Sequence, residues 1–289
     1  MQSDSERSTT AEGAAALRAA GARERDPFRR NPDNLAEFLI GARYRLGIRI
    51  APLRAVLLWR IEREMPGLYS FVTARTKQFD QLLVGEIDGG AQQVVILGAG
   101  ADSRAYRLSD AIGEVPVIEV DHPATSAWKQ ERLRAVPGVT ANHVRFVPVD
   151  FSTRTLDDAL DTASVDRAIP TVFLWEGVAP YLTAGEVDAT LSSIARFAAG
   201  SSVIFDYWHR DVFDQPCPYP EGEKYIRFVA ARGEPARSGL DPATLADYLA
   251  ERGLDLIDNA GPQDLARRQL PGVRRPINTF SAIAHARVR

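Results

Sequence analysis

One stretch constrains this chain more than any other. Residues 94–104 read Val94-Val95-Ile96-Leu97-Gly98-Ala99-Gly100-Ala101-Asp102-Ser103-Arg104. A β-branched apolar run feeds a two-glycine turn, and a helix-like segment follows. Such a run and turn form the first strand of an open α/β sheet that holds a nucleotide-type ligand. Glycine stands at 98 and 100, but the third position of a dinucleotide fingerprint carries Ser103. The turn therefore permits close backbone approach, yet lacks the glycine that lets a helix pack tightly under a pyrophosphate. Taken alone, the turn also reads as a tight β-to-α connection with no ligand.

Past this turn the chain alternates with the rhythm of a parallel sheet. Strands are expected at 93–97, 115–120, 143–148, 170–175 and 201–207. Helices are expected from about 102 and over 123–135, where Pro123 occupies a first turn that tolerates proline. Two more follow the capping-box patterns Thr155-Leu156-Asp157-Asp158 and Thr183-Ala184-Gly185-Glu186. The second places Val187, Leu191, Ile194 and Ala198 on one apolar face. Five strands separated by helices imply a doubly wound sheet with right-handed crossovers. Residues from about 208 to 240, rich in Pro, Gly, charged and aromatic side chains, read as a lid insertion after strand five. A helix from Asp241-Pro242, with Leu245, Tyr248 and Leu249 inward, comes next. Short strands at 254–258 and 278–285 complete a seven-stranded, mostly parallel sheet.

Ahead of the sheet the pattern is helical. Leu53, Leu57 and Ile61 share one face, with Val56 beside them. Gly47, Pro52 and Pro66-Gly67 divide this region into several helices. Residues 1 to about 25 are expected to be poorly ordered at first and then helical. The chain thus divides into a helical cap over 1–90 and a ligand-binding core over 91–289. Its net charge of −3 offers no basic field for nucleic acid or anionic lipid, so neither partner is expected. The single cysteine, Cys217, excludes an internal disulfide and a cysteine metal cluster. His122, His143, His209 and His285 lack ligand spacing, so no metal is expected. No apolar run approaches the roughly 18 residues of a membrane span, and no signal-peptide core is present. A cytoplasmic protein is the expectation; the oligomeric state is open.

Further ligand-type residues stand at successive strand ends. In Ile118-Glu119-Val120-Asp121, Asp121 lies about 20 residues after the glycine turn, where a carboxylate accepts ribose hydroxyls. Glu119 shares its face by the period of two. Asp121 could instead merely cap the next helix. Asp150-Phe151 suits an adenine, the carboxylate accepting from the exocyclic amine and the ring packing on the base; it is also an ordinary strand-end pair. Glu176, in Leu174-Trp175-Glu176-Gly177, sits at the carboxyl edge where such sheets bind ligands. Together these signals are far more specific than any one. They describe a nucleoside ligand without a phosphate, S-adenosyl-L-methionine, in preference to a nicotinamide dinucleotide.

At this point the chain resembles a known family. It is similar to the class I S-adenosyl-L-methionine-dependent methyltransferases that include the leucine carboxyl methyltransferases and the tetracenomycin-type polyketide O-methyltransferases. The resemblance runs from about residue 20 to 285. It rests on Ala74-Arg75-Thr76, on the 97–104 turn, on Glu119-Val120-Asp121-His122-Pro123, and on Glu176-Gly177-Val178 with Tyr181-Leu182. Phe205-Asp206-Tyr207 and Gly233-Glu234-Pro235 extend it. The resemblance implies a Rossmann-like fold and a role by position for several residues. Arg75 would pair with the cofactor carboxylate, Gly98 and Gly100 would line its amino acid moiety, and Asp121 would bind the ribose, with Glu119 on the same strand face a further cofactor-binding candidate. Asp150 and Phe151 would hold the adenine, and Glu176 would form the floor near the amino acid group. Ala236-Arg237-Ser238 and Ala179-Pro180 depart from the polyketide-type pattern near the expected acceptor, and so bear on the acceptor and not on the cofactor.

The expected reaction is O-methylation of a hydroxyl or carboxyl group on a small, natural-product-like metabolite. A carboxylate acceptor needs only orientation, whereas a hydroxyl needs a proton acceptor. His209 is the candidate base, and Tyr207 a candidate wall of the acceptor pocket with Trp208, Tyr219 and Tyr225; these residues read equally well as lid packing. The alternatives are methylation of a protein C-terminal carboxylate, an NAD-dependent oxidoreductase, and a catalytically silent cofactor-binding module.

Overall fold

The structure, a computed structural model, describes residues 9–140, 143–151 and 153–289. Residues 1–8, part of the expected N-terminal disorder, lie outside the described residues. Seven strands form one sheet: β1 (Gln93–Leu97), β2 (Val117–Asp121), β3 (Val144–Pro148), β4 (Thr171–Trp175), β5 (Ser202–Trp208), β6 (Leu254–Ala260) and β7 (Ser281–Val288). Their spatial order is β3-β2-β1-β4-β5-β7-β6, and β7 alone runs antiparallel to its neighbours. The strand order reverses between β1 and β4, which opens a crevice beyond their carboxyl ends, the place where such sheets take ligands.

The fully buried central strands explain this layering. Val94, Val95, Ile96, Val172, Phe173, Leu174, Val203 and Ile204 have no polar face to offer water, so helices must cover both sides. One side is closed by α1 (Thr9–Gly21) and α4 (Leu68–Asp88), whose Phe79 and Leu83 share a core with Val94, Leu174 and Ile204. On the other side α8 (Leu156–Thr162), α9 (Ala184–Ile194) and α11 (Leu245–Ala250) bury Leu160, Leu191 and Leu249 against Val95, Phe173 and Val203. Both capping boxes form, with Thr155 and Thr183 accepting from the third residue on and Asp158 and Glu186 reaching back.

The helical region ahead of the sheet contains α1, α2 (Ala42–Arg49), α3 (Ala51–Glu64) and α4, broken near Pro52 and Gly67 as the sequence suggests. It shares its core with the sheet, because α4 packs on β4 and β5. Glu86 near the end of α4 accepts from Ser202 Oγ on β5 and Arg287 Nη2 on β7, each at 2.7 Å. Among the described residues no helix is long and apolar enough to cross a membrane.

Several boundaries move. The helix expected from 102 is two single turns, α5 (Arg104–Arg107) and α6 (Ser109–Ile112), parted where Leu108 leaves helical geometry. The last strand starts three residues later than expected. Asn278 and Thr279 are first engaged by side chains, Asn278 Nδ2 donating to Ser281 Oγ and the Thr279 amide to Glu221 Oε1. The helix after Asp241 begins only at Leu245, since Asp241 Oδ1 takes the Ala243 amide in a turn. The lid contains a nine-residue helix, α10 (Gly222–Ala230), and the helix after β2 is α7 (Pro123–Arg134). A further helix, α12 (Pro262–Gln269), for which the sequence reading names no element, lies between β6 and β7.

Candidate active site

The glycine turn leaves β1 in a conformation that side chains resist. Gly98 has φ 63° and Gly100 φ 43°. A Cβ on Gly98 would lie 2.5 Å from Val178 Cγ2, so the loops after β1 and β4 touch here. The turn is tied to β2: the Gly98 and Ala99 amides donate to the Val120 carbonyl, and the Gly100 amide donates to Asp121 Oδ2. Asp121 Oδ1 accepts the His122 amide at 2.6 Å. Burial raises the Asp121 pKa, against the two amides that favour its charge. The carboxylate is thus pinned by backbone at the rim of the crevice, with lone pairs left for hydroxyl donors.

Beneath the turn lies a network of buried charges. Arg75, from α4, places Nε 2.9 Å from Glu176 Oε1 and Nη1 2.8 Å from Asp206 Oδ2. Arg104 reaches Glu176 and Asp102 at 2.5 Å each and Asp80 at 2.8 Å. Arg18, from α1, pairs with Asp33 at 2.8 Å and donates to the Ala101 carbonyl at 2.7 Å. Burial disfavours charge on Glu176, but Arg104 and Arg75 outweigh it and lower its pKa. The same contest, with Arg104 foremost, brings Asp102 down to about 2. At Asp206 burial wins, and the pKa is raised despite Arg75. Asp206 Oδ1 also accepts the Gly177 amide at 2.5 Å, fixing the turn after β4.

These elements border one cavity of about 1020 Å³. Arg75, Gly98, Gly100, Asp121, Asp150, Phe151 and Glu176 all line it. Phe151 is half exposed, its ring available to a flat partner. Farther along, the wall becomes apolar: Leu57 and Ile61 of α3, Met65, Phe71 of α4, Trp208 of β5, and Tyr225, Phe228 and Val229 of α10. Arg232, stacked 3.3 Å over the Phe228 ring, brings a cation to this end.

Three sequence candidates lie elsewhere. Glu119 is buried below the turn, with Lys129 Nζ 2.7 Å from its Oε2, and does not line the cavity. The period of two puts it on the face of Asp121, but two residues farther down the strand it meets α7 and not the crevice. Tyr207 points through the other face of β5, its hydroxyl donating to Asn259 Oδ1 at 2.9 Å. His209 is outside the cavity as well; its Nδ1 meets the Tyr219 hydroxyl at 2.9 Å, and Tyr219 donates to Asp211. Of the four aromatic candidates for the acceptor wall, Trp208 and Tyr225 line the cavity, whereas Tyr207 and Tyr219 do not. Sequence reading missed Arg18, Asp33, Asp80 and Arg104 as a charge network. Asp206 stood in a quoted motif, but nothing in its spacing announced a bond to Arg75.

A seven-stranded sheet with one antiparallel strand and a glycine turn at its switch point is the class I methyltransferase fold. A family model described as leucine carboxyl methyltransferase matches residues 11–195, and the chain belongs to that family. A Bacillus subtilis protein named "Putative S-adenosyl-L-methionine-dependent methyltransferase YktD" is 32% identical over 194 residues, 66% of this chain and 63% of its own length. That aligned part is less than two thirds of the Bacillus protein. A Mycolicibacterium smegmatis protein with the same description is 32% identical over 294 residues, covering 94% of this chain and 88% of its own. The fold is shared with a crystal structure of a DUF574 family protein from Streptomyces avermitilis. The TM-score is 0.61 at 17% identity, with 99% of each chain covered.

Proposed function

We propose that this chain is a methyltransferase that uses S-adenosyl-L-methionine to methylate an oxygen atom of a small, largely apolar acceptor. The observation that carries this reading is the single cavity that joins a nucleoside-type end, from Gly98 to Phe151, to an apolar end. The charge network fits the cofactor. An α-amino acid brings a carboxylate and an ammonium, and Arg75 and Glu176, an oppositely charged pair 2.9 Å apart, both line the cavity. Asp121 would take the ribose hydroxyls and Phe151 would cover the adenine. When bound, the cofactor supplies an electrophilic methyl carbon on a sulfonium. The chain's residues supply position: α3, α4 and α10 wall the apolar end, exclude water and hold the acceptor for in-line approach.

The placement of His209 favours a carboxylate acceptor over a hydroxyl. Its ring sits outside the cavity and is spent on Tyr219. Burial pushes its pKa down. A carboxylate acceptor is ionised near neutral pH and asks for no base. Arg232 at the apolar end is suited to orient such an anion. A walled cavity also suits a small molecule better than a protein tail, which would need an open groove.

The test is turnover of methyl-labelled cofactor with apolar carboxylic acids, phenols and a leucine-terminated peptide. The reading expects label in the apolar acids, released by mild alkali as methanol because an ester has formed. Alkali-stable label in phenols alone would refute the carboxylate preference. Label in the peptide alone would refute the small-molecule reading.

A further inference from the structure

Helix α3 is anomalous for its composition. Nine of its residues, Ala51, Pro52, Leu53, Ala55, Val56, Leu57, Leu58, Trp59 and Ile61, are apolar, yet none of the helix is buried. Apolar side chains gathered on an uncovered face mark a surface made for a partner. Leu57 and Ile61 face the cavity. Val56 and Trp59 lie on the outward side, each 62% exposed, and Leu53, one turn ahead of Leu57, is exposed as well. Leu46 of α2 and Ile50 in the connection extend this patch, at 60% and 41%.

The patch is threaded with cations. Between Ala42 and Glu64 stand Arg43, Arg45, Arg49, Arg54, Arg60 and Arg63 against only Glu62 and Glu64, in a chain of net charge −3. Arg63 lies 5.7 Å from the Trp59 ring centroid, so a cation and an indole share one level on the helix. Exposed Leu and Val beside Arg and Trp are the composition of a helix lying in a bilayer interface, with apolar groups inserted and guanidinium groups among phosphates. The whole-chain charge hides this arm by averaging it with acidic residues elsewhere.

We infer that the α2–α3 arm docks on an anionic lipid surface, and that the acceptor cavity opens beside it to take apolar molecules from that surface. The second clause rests on the proposed methyltransferase reading; the first stands without it. Charge decides between lipid and a second copy of the chain. A two-fold contact through this patch would set arm against arm, each carrying six arginines to two glutamates, with Arg60 and Arg49 already paired to Glu64 and Glu37. An anionic headgroup layer meets the same cations favourably.

The experiment is co-sedimentation of the full chain with vesicles of phosphatidylcholine alone or mixed with phosphatidylglycerol. Binding is expected to be about tenfold stronger to the mixed vesicles and to fall with added salt. The triple variant Leu53→Ser, Val56→Ser, Trp59→Ser and the pair Arg60→Glu, Arg63→Glu should each lose about tenfold of that binding. Neither variant touches a cavity-lining residue, so titration with S-adenosylhomocysteine should be unchanged in both. Equal or absent binding to the two vesicle types by a chain that still takes S-adenosylhomocysteine would overturn the docking proposal and leave the cofactor reading standing. A dimer in sedimentation velocity that the triple variant abolishes would overturn it in favour of a second copy. Vesicle binding without S-adenosylhomocysteine binding would support the docking surface and refute the cofactor reading.

Discussion

Two carboxylates on one strand have opposite fates. Asp121 ends β2 and closes the glycine turn, whereas Glu119 is held by Lys129 in the layer beneath. The Asp121→Asn variant keeps an acceptor for the Gly100 amide but weakens hydroxyl binding. It should lose about tenfold in S-adenosylhomocysteine affinity, ~1.4 kcal/mol, by calorimetry. Lys129→Met should do the reverse, leaving affinity intact while stranding a buried Glu119 charge. Its cost in a denaturant melt should be about 3–5 kcal/mol, largely recovered in the double variant with Glu119→Gln. Gly98→Ala forces a side chain into a left-handed φ and against Val178, for about 1–3 kcal/mol and weaker cofactor binding. The glycines and Asp121 were legible in sequence because backbone geometry at a β-to-α turn is a local demand. The depth of Glu119 was not, since alternation tells which face a residue takes but not where along the strand the crevice begins.

At the level of elements, α4 is fastened to the sheet by Glu86. Burial opposes its charge, but His285, Ser202 and Arg287 bring its pKa from 4.5 down to about 2. A carboxyl depressed in the folded state stabilises above its ordinary pKa, and that contribution fades as pH falls from 4.5 towards about 2. Denaturant midpoints measured across this window should fall with pH in the native chain and vary less in Glu86→Gln. In the lid, His209→Ala should leave turnover on a carboxylate acceptor unchanged, because its ring joins Tyr219 outside the cavity. Loss of turnover with cofactor binding intact would restore His209 as a base. Strand and capping patterns predicted most elements, since alternation and capping are local. The helix α10, the start of β7 and the partners of His209 depend on lid packing that no local pattern records.

For the whole molecule, the topology was readable because five β-to-α units and a closing strand pair admit few arrangements. The charge network was not readable. Arg18, Arg75 and Arg104 come from the cap and from the first turn, and only folding brings them over Glu176, Asp102 and Asp206. Cap and sheet meet in that network, so ligand binding should stabilise both together. A single cooperative melt should shift upward with S-adenosylhomocysteine as the logarithm of its concentration. The central claim is that this crevice holds the methyl donor, and calorimetric titration of the full chain with S-adenosylhomocysteine tests it most directly. The account predicts saturable heat at one site per chain, weakened by about tenfold in Asp121→Asn. A folded chain that gives no heat with either S-adenosylhomocysteine or S-adenosyl-L-methionine would contradict it.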